Sequence, residues 1–551
     1  MSTSPQSNFA PKELQTRFLY PFTLGRKEKQ ESQDGADATI AADAHQALTA
    51  MSLTTREGEP MPVWEKDAVP HPLYQEELLG HIVKFLFDEA DQQKPSYKYL
   101  RLHGPTANRW FNGLEVQLTE QKKFRLGLAT NALIEIFLTD YGAGVLSIAL
   151  CPDVSSLDLN DAKLFNYKLS QLRKGTAPTL HRPHPTEASN LSAERIEALR
   201  QKVPMPDGSE PLLKRLGKPG ASFALKELID ELLLNPLAAL NITPCQNQLS
   251  IYTVARFDSS VDFEKRAVRD ALATFLSGMA QVEEPDHAGS LTGTVSVRNE
   301  VLNRCHWAGI GLLGAAHLIS DQSPPEHSFN AQRMSRLLLK YFMPHLVALL
   351  QRTTLNFISS DATKLVRHSQ REIAKKPVEL RHDLLKFAVE GYFTEVSTRE
   401  VIQLYYRMTQ KSLGVRNILD HVRRAVSDIE AKQRADRNAQ MADETRQALV
   451  KQVEQTRIMS ESLNATKGVQ EQMSVNLETM ARIQEKVERI EIFIIIVYAS
   501  ELAHLVLEEF EKEHHIWHPA IIAIMFGLAF TALLMLILKL WDKKKEKREE
   551  G

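Results

Sequence analysis

The chain has 551 residues, with 67 lysines and arginines against 69 aspartates and glutamates. This balance argues against a strongly basic surface, so no direct binding of nucleic acid is expected. Cys151, Cys245 and Cys305 form no CxxC pair, which argues against a disulfide framework or a cysteine zinc site. The N-terminus lacks the basic and apolar regions of a secretory signal, so we expect the bulk of the protein in the cytoplasm.

Residues 1–60 are predicted to be a partly flexible N-terminal segment, because "DGADATIAADAHQ" is typical of a mobile insertion. Residues 61–375 are predicted to form an α/β ligand-sensing domain. Within it, Ala132 to Leu150 contains two apolar strands around a glycine-rich turn, and "QLSIYTVARF" is another strand. Leu159 to Lys174 and Phe329 to Ser359 have helical spacing, the latter with Pro344 as a kink. This order predicts an α+β domain with a covered sheet.

Two clusters of basic and aromatic residues are candidate sites for an anionic ligand such as a nucleotide. Guanidinium groups suit phosphates, and indole rings can stack on a base. The alternative is a sheet edge or a subunit contact with no ligand. The candidate ligand-binding residues are Arg101, His103, Arg109 and Trp110 in the first cluster and Arg304, His306 and Trp307 in the second.

Other motifs favour structural roles. Gly309, Gly311 and Gly314 satisfy G-x-G-x-x-G, but a tight turn between apolar strands explains them better than a phosphate loop. His181 and His184 could hold a metal, but a proline-rich surface loop explains them better. His514, His515 and His518 have metal-ligand spacing, and a wet interfacial loop explains them equally well, so the metal stays unassigned. Since no catalytic triad, carboxylate pair or P-loop stands out, the chain is not expected to be an enzyme.

Residues 376–490 are predicted to form a helical stalk, because no proline occurs between Pro377 and Pro519. Apolar residues in this region recur at alternating steps of three and four, the seam of a coiled coil. The seam comprises Val415, Leu419, Val422, Val426 and Ile429, returns partly at Leu449, Val453, Leu463 and Met473, and becomes strict at Met480, Ile483, Val487, Ile490, Ile494 and Val497.

Residues 491–541 are predicted to contain two transmembrane helices, 492–507 and 519–538. The second is a run of 20 uncharged residues, enough to span the hydrocarbon core of about 30 Å. An acidic loop lies between the two segments, and a basic tail, 542–551, follows them. This pattern predicts a multi-pass inner-membrane protein in the lipid bilayer, with both termini cytoplasmic.

Charged residues continue the seam into the first of these segments, so an oligomer would bring them to its axis as a ring that attracts cations. One alternative is a plain coiled-coil stalk that only anchors the protein. Another is that Glu501 pairs with His504, or with a group on the second helix, as a structural contact. The candidate pore residues are Glu501, His504, Glu508, Val497 and Ile494.

The predicted architecture resembles the CorA superfamily of divalent-cation channels, which combine an α/β domain, a long stalk helix and a two-helix membrane hairpin. The resemblance is carried by "MARIQEKVERIEIFIIIV", by "HPAIIAIMFGLAFTALLMLILKLWDKKK" and by the helix around "LLLKYFMPHLVALLQRTTLNFIS". It implies a homopentamer. The Gly-Met-Asn signature of that family is absent, since the chain reads "LAHLVLEEFEKE" there. In this respect the chain is most similar to the CorA-like effectors associated with type III CRISPR systems.

This similarity implies an ion channel or effector in antiviral defence, gated by a nucleotide second messenger of the SAM-AMP type, that disturbs the membrane or the ion balance. The alternative is a Mg²⁺-type divalent metal cation transporter without the Gly-Met-Asn motif. A third hypothesis is a membrane-tethered nucleotide-binding enzyme or scaffold, with the glycines at 309–314 as its cofactor loop.

Overall fold

The computed structural model describes most of residues 10–462, most of 478–491 and isolated positions from 494 to 543. The longer gaps between described residues are 26–39, 55–59, 88–95, 128–133, 174–177, 185–193, 199–209, 283–297, 322–337, 368–375 and 463–477. The chain divides into two units, 1–437 and 438–551.

The first unit is an α+β structure built on a large sheet. Its strands are β1 (Glu13–Thr23), β2 (Ser52–Thr54), β3 (Pro60–Pro62), β4 (Tyr99–Arg101), β5 (Glu115–Gln117), β6 (Lys123–Gly127), β7 (Ile134–Leu138), β8 (Ala143–Pro152), β9 (Thr179–His181), β10 (Ser222–Ala224), β11 (Thr243–Pro244), β12 (Ser250–Phe257), β13 (Arg298–Asn303), β14 (His306–Ile310) and β15 (Gly314–Ser320).

Up to residue 462 the described residues include twelve α-helices with assigned ends, together with short 3-10 or π turns at Val154–Ser156, Asp230–Leu234 and Ala238–Leu240; a further helical stretch begins at 478. The helices are α1 (Ile40–Thr49), α2 (Pro72–Gln75), α3 (Gly80–Phe87), α4 (Gly104–Phe111), α5 (Leu159–Ser170), α6 (Leu212–Arg215), α7 (Leu225–Ile229), α8 (Arg266–Gln281), α9 (Phe342–Arg367), α10 (Lys376–Glu390), α11 (Glu400–Ser412) and α12 (Val415–Ser462).

Thirteen strands pair in one sheet, whose main path is β10-β9-β5-β6-β8-β1-β12-β15-β14-β13; β7 also pairs with β8, β4 with β7, and β11 with β1. Among these pairs only β12 and β15 are parallel. The chain between them contains α8 and the antiparallel pair β13–β14, which supplies the long crossover that a parallel pair needs. β1 lies in the middle of the path, between β8 and β12.

Helices cover both faces of the central strands, so successive side chains of β1 enter different hydrophobic cores. Phe18 and Phe22 belong to the first core, which includes residues of α5 and α8. Leu19 belongs to the second core, which includes residues of α3, α9, α11 and the start of α12. Burial on both faces explains why the central strands read as nearly continuous apolar runs.

The start of α12 belongs to the body of the first unit. Val415, Leu419, Val422 and Val426 are at most 6% exposed and lie in the second core. From 431 to 453, every side chain that the structure describes is exposed. The predicted seam therefore has a packed beginning, and the helix surface that follows it is solvated.

The predicted membrane architecture is wrong. In the part of the chain that the structure describes, no helix combines the length and the apolar character needed to cross a membrane. A spanning helix needs about 20 predominantly apolar residues, whereas the 48-residue α12 is polar and charged over most of its length. The CorA-like fold class with its transmembrane hairpin is corrected to an α+β structure with a large sheet and helices.

The same finding contradicts the predicted localisation as a multi-pass inner-membrane protein with both termini in the cytoplasm. Most of the two segments, 492–507 and 519–538, lies outside the described residues. The positions described within them are Ile494, Tyr498, Ala529, Ala532 and Leu536.

Candidate functional site

A buried ion pair lies on the α9 face of the sheet, where β1, β8 and β7 are neighbours. Arg17 Nη1 donates to Glu135 Oε2 at 2.6 Å. The hydroxyls of Tyr74 and Tyr99 also donate to Glu135, at 2.7 and 2.6 Å. These four residues are at most 4% exposed. Glu135 therefore accepts hydrogen bonds from three donors, so its buried carboxylate oxygens are not left without partners.

The pKa directions agree with this geometry. Burial raises the pKa of the Tyr74 and Tyr99 hydroxyls well above their ordinary value, so both keep the protons that they donate. Burial alone would lower the pKa of Arg17, but the nearby Tyr74 and Glu135 outweigh it and raise that pKa. The Arg17 guanidinium also lies 4.3 Å from the ring centroid of Phe342 on α9, a cation–π contact that joins the helix to the sheet.

Three buried histidines lie on the same face. His306 of β14 and His317 of β15 share a hydrogen bond of 2.9 Å between Nε2 and Nδ1. His345 lies on α9, and each of the three is 1% exposed. The ring of Tyr252 on β12 lies between two of them, 5.2 Å from the His317 ring and 5.6 Å from the His345 ring. We call His306, His317 and His345 the histidine cluster.

Two nitrogens of the histidine cluster, His317 Nε2 and His345 Nδ1, have no hydrogen-bond partner among the described residues. Burial lowers the pKa of His345 to about 4. Burial, with the charges of His306 and His345 as smaller causes, lowers the pKa of His317 well below its ordinary value. Both imidazoles are therefore neutral near pH 7, and protonating either one in place is costly.

The helix that leads to α12 packs directly on this cluster. Tyr405 of α11 lies 5.0 Å from the His317 ring and 5.2 Å from the Tyr341 ring. The neighbouring Tyr406 hydroxyl donates to Gln351 Oε1 of α9 at 3.0 Å. Gly414, which separates α11 from α12, has a φ of 67°, a left-handed conformation that glycine adopts without strain. The cluster thus packs against α11, the helix that directly precedes α12.

A second buried carboxylate secures the start of α11. Arg399 Nε lies 2.5 Å from Glu77 Oε2, and Lys340 also pairs with Glu77. The side chain of Glu77 is 5% exposed. Glu77 therefore joins the segment between α2 and α3 to the residues that precede both α9 and α11.

Sequence reasoning missed most of this face because its residues come from strands and helices far apart in the chain. The signal that could have found it is a charged or imidazole side chain inside an otherwise apolar strand. Arg17, Glu135 and His317 are of this kind, in "RFLYPF", "IEIFL" and "AAHLIS". A group in such a position is buried and needs a partner from another element.

The structure places the described ligand-binding candidates in separate environments. Trp110 is 1% exposed, in the first core. Trp307 is 7% exposed and packs edge-on against Phe263, with a centroid distance of 5.3 Å. Neither indole face is open to the surface. The predicted stacking role therefore has no support from the described residues.

The polar candidates have contacts within the chain. Arg101 donates to Glu65 Oε2 at 2.6 and 2.9 Å, and His103 Nδ1 lies 3.3 Å from Thr106 Oγ1. His306 belongs to the histidine cluster. The side chain of Arg109 and all of Arg304 lie outside the described residues.

The three glycines lie in and beside a tight turn between two strands, as predicted, and Gly311 is the one in the turn itself. Gly309 lies in β14 and Gly314 begins β15, and these strands pair antiparallel as a hairpin. A Cβ at Gly311 would collide with the carbonyl oxygen of Ala280, so close approach of α8 explains this glycine. A dinucleotide-binding loop would instead join a strand to a helix.

Of the histidines with metal-ligand spacing, the structure describes His181 and His184. His181 ends β9, and His184 is 2% exposed, whereas 514, 515 and 518 lie outside the described residues. No three histidine, cysteine, aspartate or glutamate side chains in the described ranges are arranged to hold a metal ion.

Of the five pore candidates, the structure describes Ile494; 497, 501, 504 and 508 lie outside the described residues. Ile494 ends a row of exposed apolar side chains on the helical stretch from 478. We call this row the apolar stripe. Its members are Met480 (63% exposed), Ile483 (59%), Val487 (58%), Ile490 (61%) and Ile494 (36%).

Comparison of the chain with protein-family models, with curated proteins and with solved structures found no match. The resemblance to the CorA superfamily stays a prediction from the sequence. The same is true of the nucleotide messenger, the divalent cation, the pentamer and the absence of enzymatic activity.

Proposed function

We propose that the chain is a homo-oligomeric assembly protein, in which the apolar stripe joins copies of the chain and each copy contributes one α+β body. The observation that carries this proposal is the exposure of five apolar side chains at the spacing of a coiled-coil seam. Their positions, 480, 483, 487, 490 and 494, advance by alternating steps of three and four. Side chains at that spacing lie on one face of a helix.

Burial of this stripe would release substantial free energy. Met480, Ile483, Val487 and Ile490 are 58 to 63% exposed in the single chain. Complete burial of each of these partly exposed side chains contributes roughly 1 to 2 kcal/mol to the free energy of association. Four or five such contributions per copy can offset the entropy lost on association once several copies share them.

The rest of the helix surface is suited to water. Arg482 and Glu478 form an i,i+4 pair with a shortest N–O distance of 2.8 Å, both well exposed. Glu485 and Glu488 also lie away from the stripe, and both are exposed. One apolar face beside one charged face is typical of a helix that packs on a partner along a narrow line. A second copy of the chain has the same apolar stripe, so this packing needs no other protein.

Self-association is tested by measuring the mass of the full chain by light scattering. The matched variants are Ile483→Asp, which places one carboxylate on the stripe, and Ala481→Asp, which places the same carboxylate on the exposed helix surface two residues earlier. We expect the unsubstituted chain and Ala481→Asp to have a multiple of the 62.3 kDa chain mass. Ile483→Asp should dissociate toward one chain, because a buried unpaired carboxylate costs roughly 3 kcal/mol or more.

A monomeric unsubstituted chain at micromolar concentration would contradict the proposal. Equal association of the two variants would also contradict it, since the stripe would then not be the contact. Circular dichroism of both variants controls for loss of the helix itself.

A further inference from the structure

We propose that the apolar stripe forms a parallel, in-register bundle of three or four copies, in which Lys486 of each copy pairs with Glu491 of its neighbour. This inference rests on the proposed self-association and adds the direction, the register and the number of chains. It is argued from the residues of the stripe and from the charges that flank it.

The spacing of the stripe assigns its heptad positions. The step from Met480 to Ile483 is three and the step from Ile483 to Val487 is four, so Met480, Val487 and Ile494 occupy position a and the two isoleucines between them occupy position d. Lys486, directly before Val487, is then at position g. Glu491, directly after Ile490, is at position e of the same face, and both charged residues are exposed.

These two charges distinguish the direction of packing. In a parallel in-register bundle, position g of one helix faces position e of the next heptad on its neighbour. Lys486 would then face Glu491, which lies five positions later. In an antiparallel arrangement, g faces g and e faces e, so Lys486 could face Lys486 of another copy but could not pair with Glu491. Opposite charges attract and like charges repel, and the parallel direction is therefore favoured.

The residue types at a and d bear on the number of chains. Both d positions, 483 and 490, are isoleucine, and Val487 and Ile494 at position a are β-branched. Isoleucine at d disfavours a parallel dimer and favours three or four strands. The other flanking positions set an upper limit, because bundles with more chains need a wider apolar face. Thr479 and Gln484 occupy the g and e positions before Lys486 and are polar, whereas the next g position is Phe493, so the face is narrow over the first part of the stripe.

The direction is tested with single cysteines introduced into the full chain, Met480→Cys and Ile494→Cys, under mild oxidation. In a parallel in-register bundle each variant cross-links to its own copies, because identical a positions meet at the axis. In an antiparallel bundle identical residues at the two ends of the stripe lie far apart. The unsubstituted chain controls for the three native cysteines, and Glu488→Cys controls for random collision.

The charge pairing is tested with Lys486→Glu, Glu491→Lys and the double variant. We expect each single variant to raise the dissociation concentration about tenfold, since it replaces attraction with repulsion at every neighbouring interface. The double variant should return to within about twofold of the unsubstituted chain, because the pair is restored with its charges exchanged.

The outcomes separate this inference from the proposed function. A monomeric unsubstituted chain would overturn both. An associated chain would overturn this inference alone if the two cysteine variants fail to cross-link, if the double variant is no better than the single ones, or if native mass spectrometry gives two copies or five. Three or four copies, with cross-linking at both positions and restoration by the exchanged pair, is the expected result.

Discussion

Burial of His345 predicts that the folded body loses stability at mildly acidic pH. The pKa of His345 falls from the ordinary 6.5 to about 4 in the folded protein. As the pH falls below 6.5, His345 therefore becomes protonated in the unfolded chain while it stays neutral in the folded chain. The free energy of unfolding is therefore highest above pH 6.5, and it decreases progressively as the pH falls toward 4.

The magnitude follows from the two pKa values. At ~1.4 kcal/mol per pKa unit, the difference between 6.5 and about 4 is worth about 3 kcal/mol in total. Between pH 7.5 and pH 5 about 2 kcal/mol of this is lost. His317 acts in the same direction, because burial and the nearby charges of His306 and His345 lower its pKa as well.

The assay is urea unfolding of the full chain at several pH values between 7.5 and 5, followed by circular dichroism. The comparison is with His345→Phe, which keeps a ring beside Tyr252 but cannot be protonated. We expect the loss of unfolding free energy over this range to be about 2 kcal/mol smaller in the variant. His421→Gln controls for an exposed histidine. The same loss in the unsubstituted chain and in His345→Phe would refute the reasoning.

Two further substitutions test the packing of the sheet, each by urea unfolding at pH 7.5. Glu135→Gln should destabilise the body by roughly 3 kcal/mol, because it leaves the charge of Arg17 buried without its partner. The double variant Arg17→Met, Glu135→Leu should be less destabilised, because neither charge remains. An equal or larger loss in the double variant would mean that the unpaired charge is not the cause. Gly311→Ala should lower the free energy of unfolding by roughly 1 to 3 kcal/mol, because its Cβ would collide with Ala280. Gly104→Ala should lower it little, because no atom lies within 4 Å of the added Cβ. Similar losses for the two substitutions would contradict the collision.

Local patterns predicted several elements correctly. The glycine-rich turn between two apolar strands is the β7–β8 connection, where Gly142 has a φ of 77°. "QLSIYTVARF" contains β12. The predicted helix from Leu159 is α5, and its buried face includes Ala162, Phe165 and Leu169. Each of these features depends on a short-range pattern that the sequence displays directly.

The position of β1 could not be predicted in the same way. Pro21 argues against a central strand, because proline donates no ladder hydrogen bond. In the structure β12 pairs with β1 only as far as Leu19, and β11 pairs from Phe22 onward. Pro21 therefore lies where the partner changes. Such pairing between distant strands produces no recognisable pattern within a short stretch of sequence.

The helix containing Pro344 shows a similar limit. Pro344 was predicted to kink a long helix; in the structure residues 338–340 are helical, Tyr341 is a turn and α9 begins at Phe342, so the helix is interrupted there and Pro344 lies in the first turn of α9, where proline is tolerated. The transmembrane prediction was wrong for a different reason. It depended on the apolar runs at 492–507 and 519–538, whereas no helix among the described residues is long and apolar enough to cross a membrane.

The mass of the full chain in solution, compared between Ile483→Asp and Ala481→Asp, tests the central claim most directly. Self-association through the apolar stripe predicts several copies for the unsubstituted chain and for Ala481→Asp, and dissociation of Ile483→Asp toward a single chain. One copy in every case, or the same association in both variants, would contradict it.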